Sequence, residues 1–255
     1  MTADQPEEPV FLSLESAFEA IAGLPLHDRL EALLVAGGCR FHEPGLVALP
    51  AVRCVGVGGL PVTCVDPLHL GGVPFPAASL ATAFHAMRGL GGMLTYLNPK
   101  DRTPAQMADV LEDVGHGSTR HLAVLNIAVL GLSSAVEHEF ATQRDLVHLA
   151  RLTVARTGAQ RDPPLVVLAP EDLDLYRQAR DCTRGLRSQA ARRGRDADES
   201  LNNLFPSAKA SAVVLTGSLR NLDKLVGQAE DPGKEREYRA LLRLLRAVIT
   251  RVEGR

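Results

Sequence analysis

Apolar residues recur at helical spacing from Ser13 to Leu34, at Phe18, Ile21, Leu30, Leu33 and Leu34. Pro25 interrupts the run, so the pattern predicts two short helices. The segment "VALPAVRCVGVGGLPVTCVDP" reads as short strands punctuated by glycine and proline. A helix is expected from Ala78 to Arg88, ending in "GLGG". "TPAQMADVLEDVGHG" opens with Thr103 as N-cap, Pro104 at the first helical position and Gln106 completing a capping box, and it closes at Gly115. A buried strand follows from about Leu122 to Leu132. Ser134 and Glu137 suggest a second capping box, starting a helix through Phe140 toward Leu149. "LTVAR" and "PLVVLAP" are strand-like, Glu171 to about Arg193 is helical, and a short helix through Leu204 stops at Pro206. The strand "AVVL" then runs into "LTGSLRNLDKLVGQAED", a glycine turn with a helix starting at Ser218. A last helix, Lys234 to about Val252, sets Tyr238, Leu241, Leu242, Leu245, Val248, Ile249 and Val252 along one face.

This order is a mixed α/β (α+β) arrangement without a regular βαβ repeat, a glycine-rich dinucleotide fingerprint or an internal repeat. Residues 1–50 read as an N-terminal helical extension, and residues 51–255 as the main domain. The 255 residues are 45% hydrophobic and 23% charged, enough for a substantial core. A formal net charge of -2 argues against nucleic acid as the main partner, despite the local basic run "RGLRSQAARRGR". The most apolar stretch, "LAVLNIAVLGL", is too short for a bilayer span. The four cysteines make neither a C-x-x-C pair nor zinc spacing, and the acidic N-terminus is unlike a secretory signal. A reduced, cytoplasmic setting without a bound metal is therefore expected.

The chemistry-bearing candidates are few. No P-loop, G-x-S-x-G or H-E-x-x-H pattern occurs. His138 and Glu139 point to different helix faces, and His116 and His121 flank a loop-to-strand junction. The start of the helix at Ser218 combines a capping hydroxyl, outward amides and Arg220, which is how proteins often build an anion site. A plain capped helix has the same ingredients, and both readings stand at this point.

A family resemblance bears on that choice. "DVGHGSTRHLAVLNIAVLGLSSAVEHEFATQR" resembles the stretch of flavin-dependent thymidylate synthases with a G-H-x-S turn, a buried strand and a helix leading into an R-H-R motif. "LFPSAKASAVVLTGSLRNLDKLVGQAEDPGKEREYR" resembles their L-P, T-G-N-x-R and final E-x-R unit, from Pro206 through Thr216, Gly217 and Arg220 to Glu237 and Arg239. With "SLATAFHAMRG" the resemblance spans roughly residues 52 to 250. It implies an α/β domain with a mixed sheet and flanking helices, assembling as a homotetramer. It also implies FAD bound between subunits, deoxyuridylate stacked on the flavin, a methylene from methylenetetrahydrofolate, and reduction by NADPH. On this resemblance His116, Ser118 and Arg144 are cofactor-binding candidates, and Arg156, Ser218, Arg220 and Lys224 are candidates for a nucleotide-like or other anionic substrate.

The departures are specific. The arginine and histidine that open R-H-R become Thr142 and Gln143. The motif's serines fall on Val147 and Val154, and its closing arginine reaches Arg156 only with an insertion. The T-G-N asparagine becomes Ser218. Two nucleotide-binding arginines align with Asn202 and Ala229, a flavin-contacting histidine with Gly233, and a glutamate with His121. A charge-assisted hydrogen bond contributes about 1.5–3 kcal/mol. Two lost arginines then cost roughly 3–6 kcal/mol, on the order of a hundred- to ten-thousandfold in affinity. The expectation is a divergent protein of this family, repurposed to a non-standard substrate rather than deoxyuridylate. The alternative is a catalytically inactive paralogue acting as a structural or binding partner.

Overall fold

The protein is described by a computed structural model covering residues 12, 14–57, 60–61, 88–89, 93, 102–115, 117–121, 123–143, 148–151, 164–192 and 207–253. Two short helices, α1 (Leu14–Ile21) and α2 (Leu26–Ala36), open the fold on either side of Pro25. Four strands follow: β1 (Arg40–Glu43), β2 (Leu46–Leu49), β3 (Ala51–Val57) and β4 (Leu60–Pro61). The next elements are α3 (Pro104–Asp113), β5 (Val124–Ser133), α4 (Ser134–Ala141), β6 (His148–Arg151), β7 (Leu165–Val166) and α5 (Leu173–Arg192). The chain ends with β8 (Ala210–Ser218), α6 (Leu219–Val226) and α7 (Arg236–Val252).

The main sheet has the order β4-β3-β5-β8-β6, and every neighbouring pair is antiparallel. Parallel pairing is confined, among the described residues, to β2 with β7 in the small β1-β2-β7 sheet. The main sheet is buried on both faces. On one, Leu125, Ile127, Val129, Val213 and Leu215 pack under α4, α6 and α7. On the other, smaller residues, Ala51, Ala128, Ala210 and Ala212, let α2 approach through Leu30 and Leu34. That second core also holds Cys39 and Val47, so residues on both sides of position 50 share it. Removing this apolar surface from water contributes about 25 cal/mol per Å².

A bulge in β5 decides which side chains go where. The register breaks between Leu130 and Leu132, and Gly131 sits at φ 73°. Leu130 consequently faces the α2 side while Leu132 joins the α7 side. A regular period of two would put both on one face. Any side chain at Gly131 would meet Cys39 Sγ at 3.0 Å and Val47 Cγ1 at 3.2 Å, so glycine is required twice over.

Several sequence expectations are met. Thr103 accepts from the Gln106 amide, Gln106 answers to the Thr103 amide, and Pro104 opens α3. All seven residues expected on one face of α7 are buried. Two expectations need correction. The N-cap of α4 is Ser133, which accepts from Val136, whereas Ser134 gives its amide and hydroxyl to Lys209 O. That contact with the chain beside β8 makes Ser134 the first helical residue. The helix also stops at Ala141 rather than near Leu149. His148–Arg151 is instead a strand, because it pairs with the open edge of β8. The expected helix over 78–88 apart from Arg88, the short helix up to Leu204 and the whole "LTVAR" segment lie outside the described residues.

Candidate functional site

The candidate residues gather at the two ends of α6. At its start, β8 delivers Ser218 as the N-cap, with its side-chain oxygen accepting the Asn221 amide at 3.3 Å. The Leu219 amide is also spent, donating to Ala123 O at 2.8 Å. Two of the first three amides of α6 are thus taken by the protein itself. His121 Nδ1 lies 3.1 Å from Ser218 Oγ, at the end of a single 3-10 turn over Gly117–His121. Ser118 stands exposed in that same turn.

Arg220 follows in the first turn of α6, half-buried, and makes no ion pair among the described residues. Lys224 is exposed one turn further on. Arg120 cannot join them. Its guanidinium bridges Asp223 at 2.6 Å and Glu253 at 2.9 Å, with the Glu253 side chain only 6% exposed. The structure therefore places Ser118 in the turn whose His121 meets Ser218, and Arg220 and Lys224 one turn apart on α6, while His116, Arg144 and Arg156 lie outside the described residues.

Behind this junction runs a polar row across the sheet. Thr216 donates to Asn126 Oδ1 at 2.7 Å, and His148 stands opposite Thr216 in register on β6. Asn126 and His148 were not singled out in the sequence. Their signal, a polar residue inside an apolar strand, becomes visible only when β5, β8 and β6 are paired.

At its other end α6 passes into a 3-10 turn, Gly227–Glu230, beside the end of α4. Here Gln228 Nε2 donates to Gln143 Oε1 at 3.4 Å. Gln228 Oε1 is buried without a partner among the described residues. Ala229 is fully buried in the core. The Thr142 hydroxyl donates to Glu139 O at 2.7 Å, and the Gly233 amide donates to Asp231 at 2.9 Å. Lys234 forms a short ion pair with Glu139 and lies 5.7 Å above the ring of Tyr238. Tyr238 is fully buried against Phe140, ring centroids 5.0 Å apart. Burial, with Glu139 nearby, pushes its phenol well above the usual range.

Glu237, the first residue of the expected E-x-R pair, reaches back to α4. It accepts the Ser133 amide at 2.6 Å. Burial raises its carboxyl above the ordinary value, and the Ser133 hydrogen bonds pull the other way. It fastens α7 to the N-cap of α4 rather than facing an open cavity. A shallow groove of about 570 Å³ lies elsewhere, between α1 and α2, lined by Ala20, Leu24, Asp28, Glu31 and Val35. It holds none of the candidate residues. No described helix is long and apolar enough to cross a membrane.

No protein-family model matches the chain. No curated protein matches it either. Solved structures do. The flavin-dependent thymidylate synthase ThyX from Helicobacter pylori, complexed with FAD and dUMP, aligns at 14% identity with a TM-score of 0.53, covering 77% of this chain and 92% of that one. A second structure of Helicobacter pylori ThyX with FAD and dUMP aligns at 14% identity and a TM-score of 0.54, covering 80% and 97%. PolB from Streptomyces cacaoi, a UMP/dUMP methylase bound with 5-Br UMP, aligns at 13% identity and a TM-score of 0.50, covering 81% and 91%. The protein has the fold of the flavin-dependent thymidylate synthases. At such identity the likeness is one of fold, and function rests on the site.

Proposed function

We propose that this chain is a divergent protein of the flavin-dependent thymidylate synthase fold, repurposed to a phosphate-bearing, nucleotide-like ligand and no longer able to methylate deoxyuridylate. The observation that carries this reading is the Gln143–Gln228 pair. The resemblance lays a flavin histidine at Gln143, and a nucleotide arginine at Ala229 beside Gln228. In their place stand two neutral amides bound to each other and a methyl group sealed in the core. The likeness to PolB, a UMP/dUMP methylase, supports a fold open to more than one nucleotide.

The described residues do not fit FAD as the resemblance lays it out. Thr142, Gln143 and Gly233 spend their polar groups inside the protein, and Lys234 is neutralised by Glu139. No step of the proposed chemistry therefore runs through a flavin, and methylenetetrahydrofolate and NADPH rest on the resemblance alone. What this chain's own residues supply is anion binding. Arg220 provides a fixed cation beside the positive end of the α6 dipole, with Lys224 one turn away. Ser218 orders the helix start rather than the ligand, since its oxygen already takes the Asn221 amide.

The test is direct. Purified chain supplied with deoxyuridylate, methylenetetrahydrofolate, NADPH and FAD is expected to form no thymidylate above background and to show no flavin absorbance as isolated. Robust thymidylate formation would overturn the reading. The neutral amide pair also favours a second reading, a catalytically silent partner protein. A flavin band near one equivalent per chain would count against both. The homotetramer implied by the resemblance is part of the proposal, and strictly monomeric light scattering would remove it.

A further inference from the structure

One face of α5 is both exposed and uncharged. At 100° per residue, Leu175, Gln178, Gly185, Leu186 and Gln189 all project within about 60° of Cys182. All six residues are exposed, Leu175 at 64% and Leu186 at 45%. Every charge of the helix, from Asp174 to Arg192, falls on the other faces. The opposite side is already occupied, with Leu173 and Tyr176 packed on Leu46, Leu165 and Val167, and Arg177 paired to Glu43 at 2.8 Å. Gly185 adds an independent indication. Glycine is a poor helix former, and a Cβ at this position would meet no atom within 4 Å. Nothing among the described residues demands the small residue, whereas close approach by another backbone would.

We propose that this face is where two copies of the chain meet, α5 against α5, antiparallel about a two-fold axis at Cys182. The pattern is centred there: Leu175 lies seven residues before Cys182, and Gln189 seven after. A closed two-fold contact is self-complementary, and charge selects its direction. Asp174 and Arg192 border the same side of the face at opposite ends of the helix. Antiparallel packing keeps these two borders on one edge of the seam and brings Asp174 near Arg192 of the second copy, while parallel packing would put the two copies of each on opposite edges with no opposite charge to meet. The small side chains at Cys182 and Gly185 suit helix axes about 8 Å apart. A helix pair alone buries less than the roughly 1,200 Å² of a stable complex, so exchange at micromolar concentration is expected. The contact is independent of any ligand at α6.

The experiment is oxidation of the full-length, reduced chain with copper phenanthroline, read on non-reducing gels and by peptide mass mapping. A dimer linked Cys182 to Cys182 is expected, and Cys182→Ser should abolish it. Leu186→Glu should slow cross-linking by about tenfold or more with the circular dichroism spectrum unchanged. Asp174→Arg should slow it, and the double variant Asp174→Arg/Arg192→Asp should restore it. Absence of the Cys182–Cys182 link, a link from Cys182 to Cys64 within one chain, or an unchanged rate in Leu186→Glu would each overturn the proposal, whichever other partner the face then takes.

Discussion

The two ends of α6 differ in opposite senses. The start keeps a cation, Arg220, but the protein has spent the Leu219 and Asn221 amides that would have cradled an anion beside it. The finish gathers polar groups, yet each described one is neutral or already paired: Gln143 with Gln228, Lys234 with Glu139. Eight residues of helix, about 12 Å at 1.5 Å per residue, separate a cation with no free amides beside it from a set of polar groups with no free charge. The proposed phosphate-bearing ligand therefore has a cation to meet at one end only, and the other end offers it neutral amides.

The comparison can be broken most forcefully at the neutral end. Phe140→Ala removes the ring packed on Tyr238 and should cost about 3–5 kcal/mol, read as a lower urea midpoint with unchanged slope. If stability holds, the Phe140–Tyr238 contact is not part of a packed core. The charged end has its own structural fastening. Arg120→Met strips the cation from Glu253 and Asp223 and should cost about 3 kcal/mol, less if the half-exposed Asp223 is relieved by water. Next comes Arg220, the cation proposed to meet the ligand. Arg220→Ala should weaken binding of a nucleoside monophosphate by about 1.5–3 kcal/mol in calorimetry, with the thermal midpoint nearly unchanged. Unaltered binding would reduce the start of α6 to a plain capped helix.

The smallest expected effect is a pH dependence. Burial raises the Glu237 carboxyl in the folded protein, so the fold holds this proton more tightly than the unfolded chain does. Stability from this group is then present below the unfolded value of 4.5 and falls as pH rises through the raised folded value. Glu237→Gln should flatten that slope, raising the midpoint at neutral pH and leaving it unchanged in acid. A slope that survives the substitution belongs to another group.

Much of the fold was legible where local chemistry decides it. The capping box at Thr103 and the apolar stripe of α7 are written within a few residues of where they act. Ser218 likewise announces a helix start. The end of α4 was not legible, because the strand at His148–Arg151 exists only as a partner of β8, more than fifty residues on. Nor could the sequence say that the Leu219 amide would be spent, since its acceptor, Ala123 O, comes from a distant loop. His121 looked like an ordinary polar position and ends 3.1 Å from a hydroxyl 97 residues away. What sequence cannot show is how a site's own donors are used up.

The strand order has a kinetic consequence. β8 lies between β5 and β6, so β6 has no neighbour in the sheet until the chain has been made through residue 218. Until then β5, apolar on both faces, presents a row of unpaired amides and carbonyls. Such long-range closure is slow, and the waiting edge is exposed to other chains. Nascent chains halted before β8 should therefore bind chaperones and aggregate, whereas release of the full-length chain should let the sheet close in one late step.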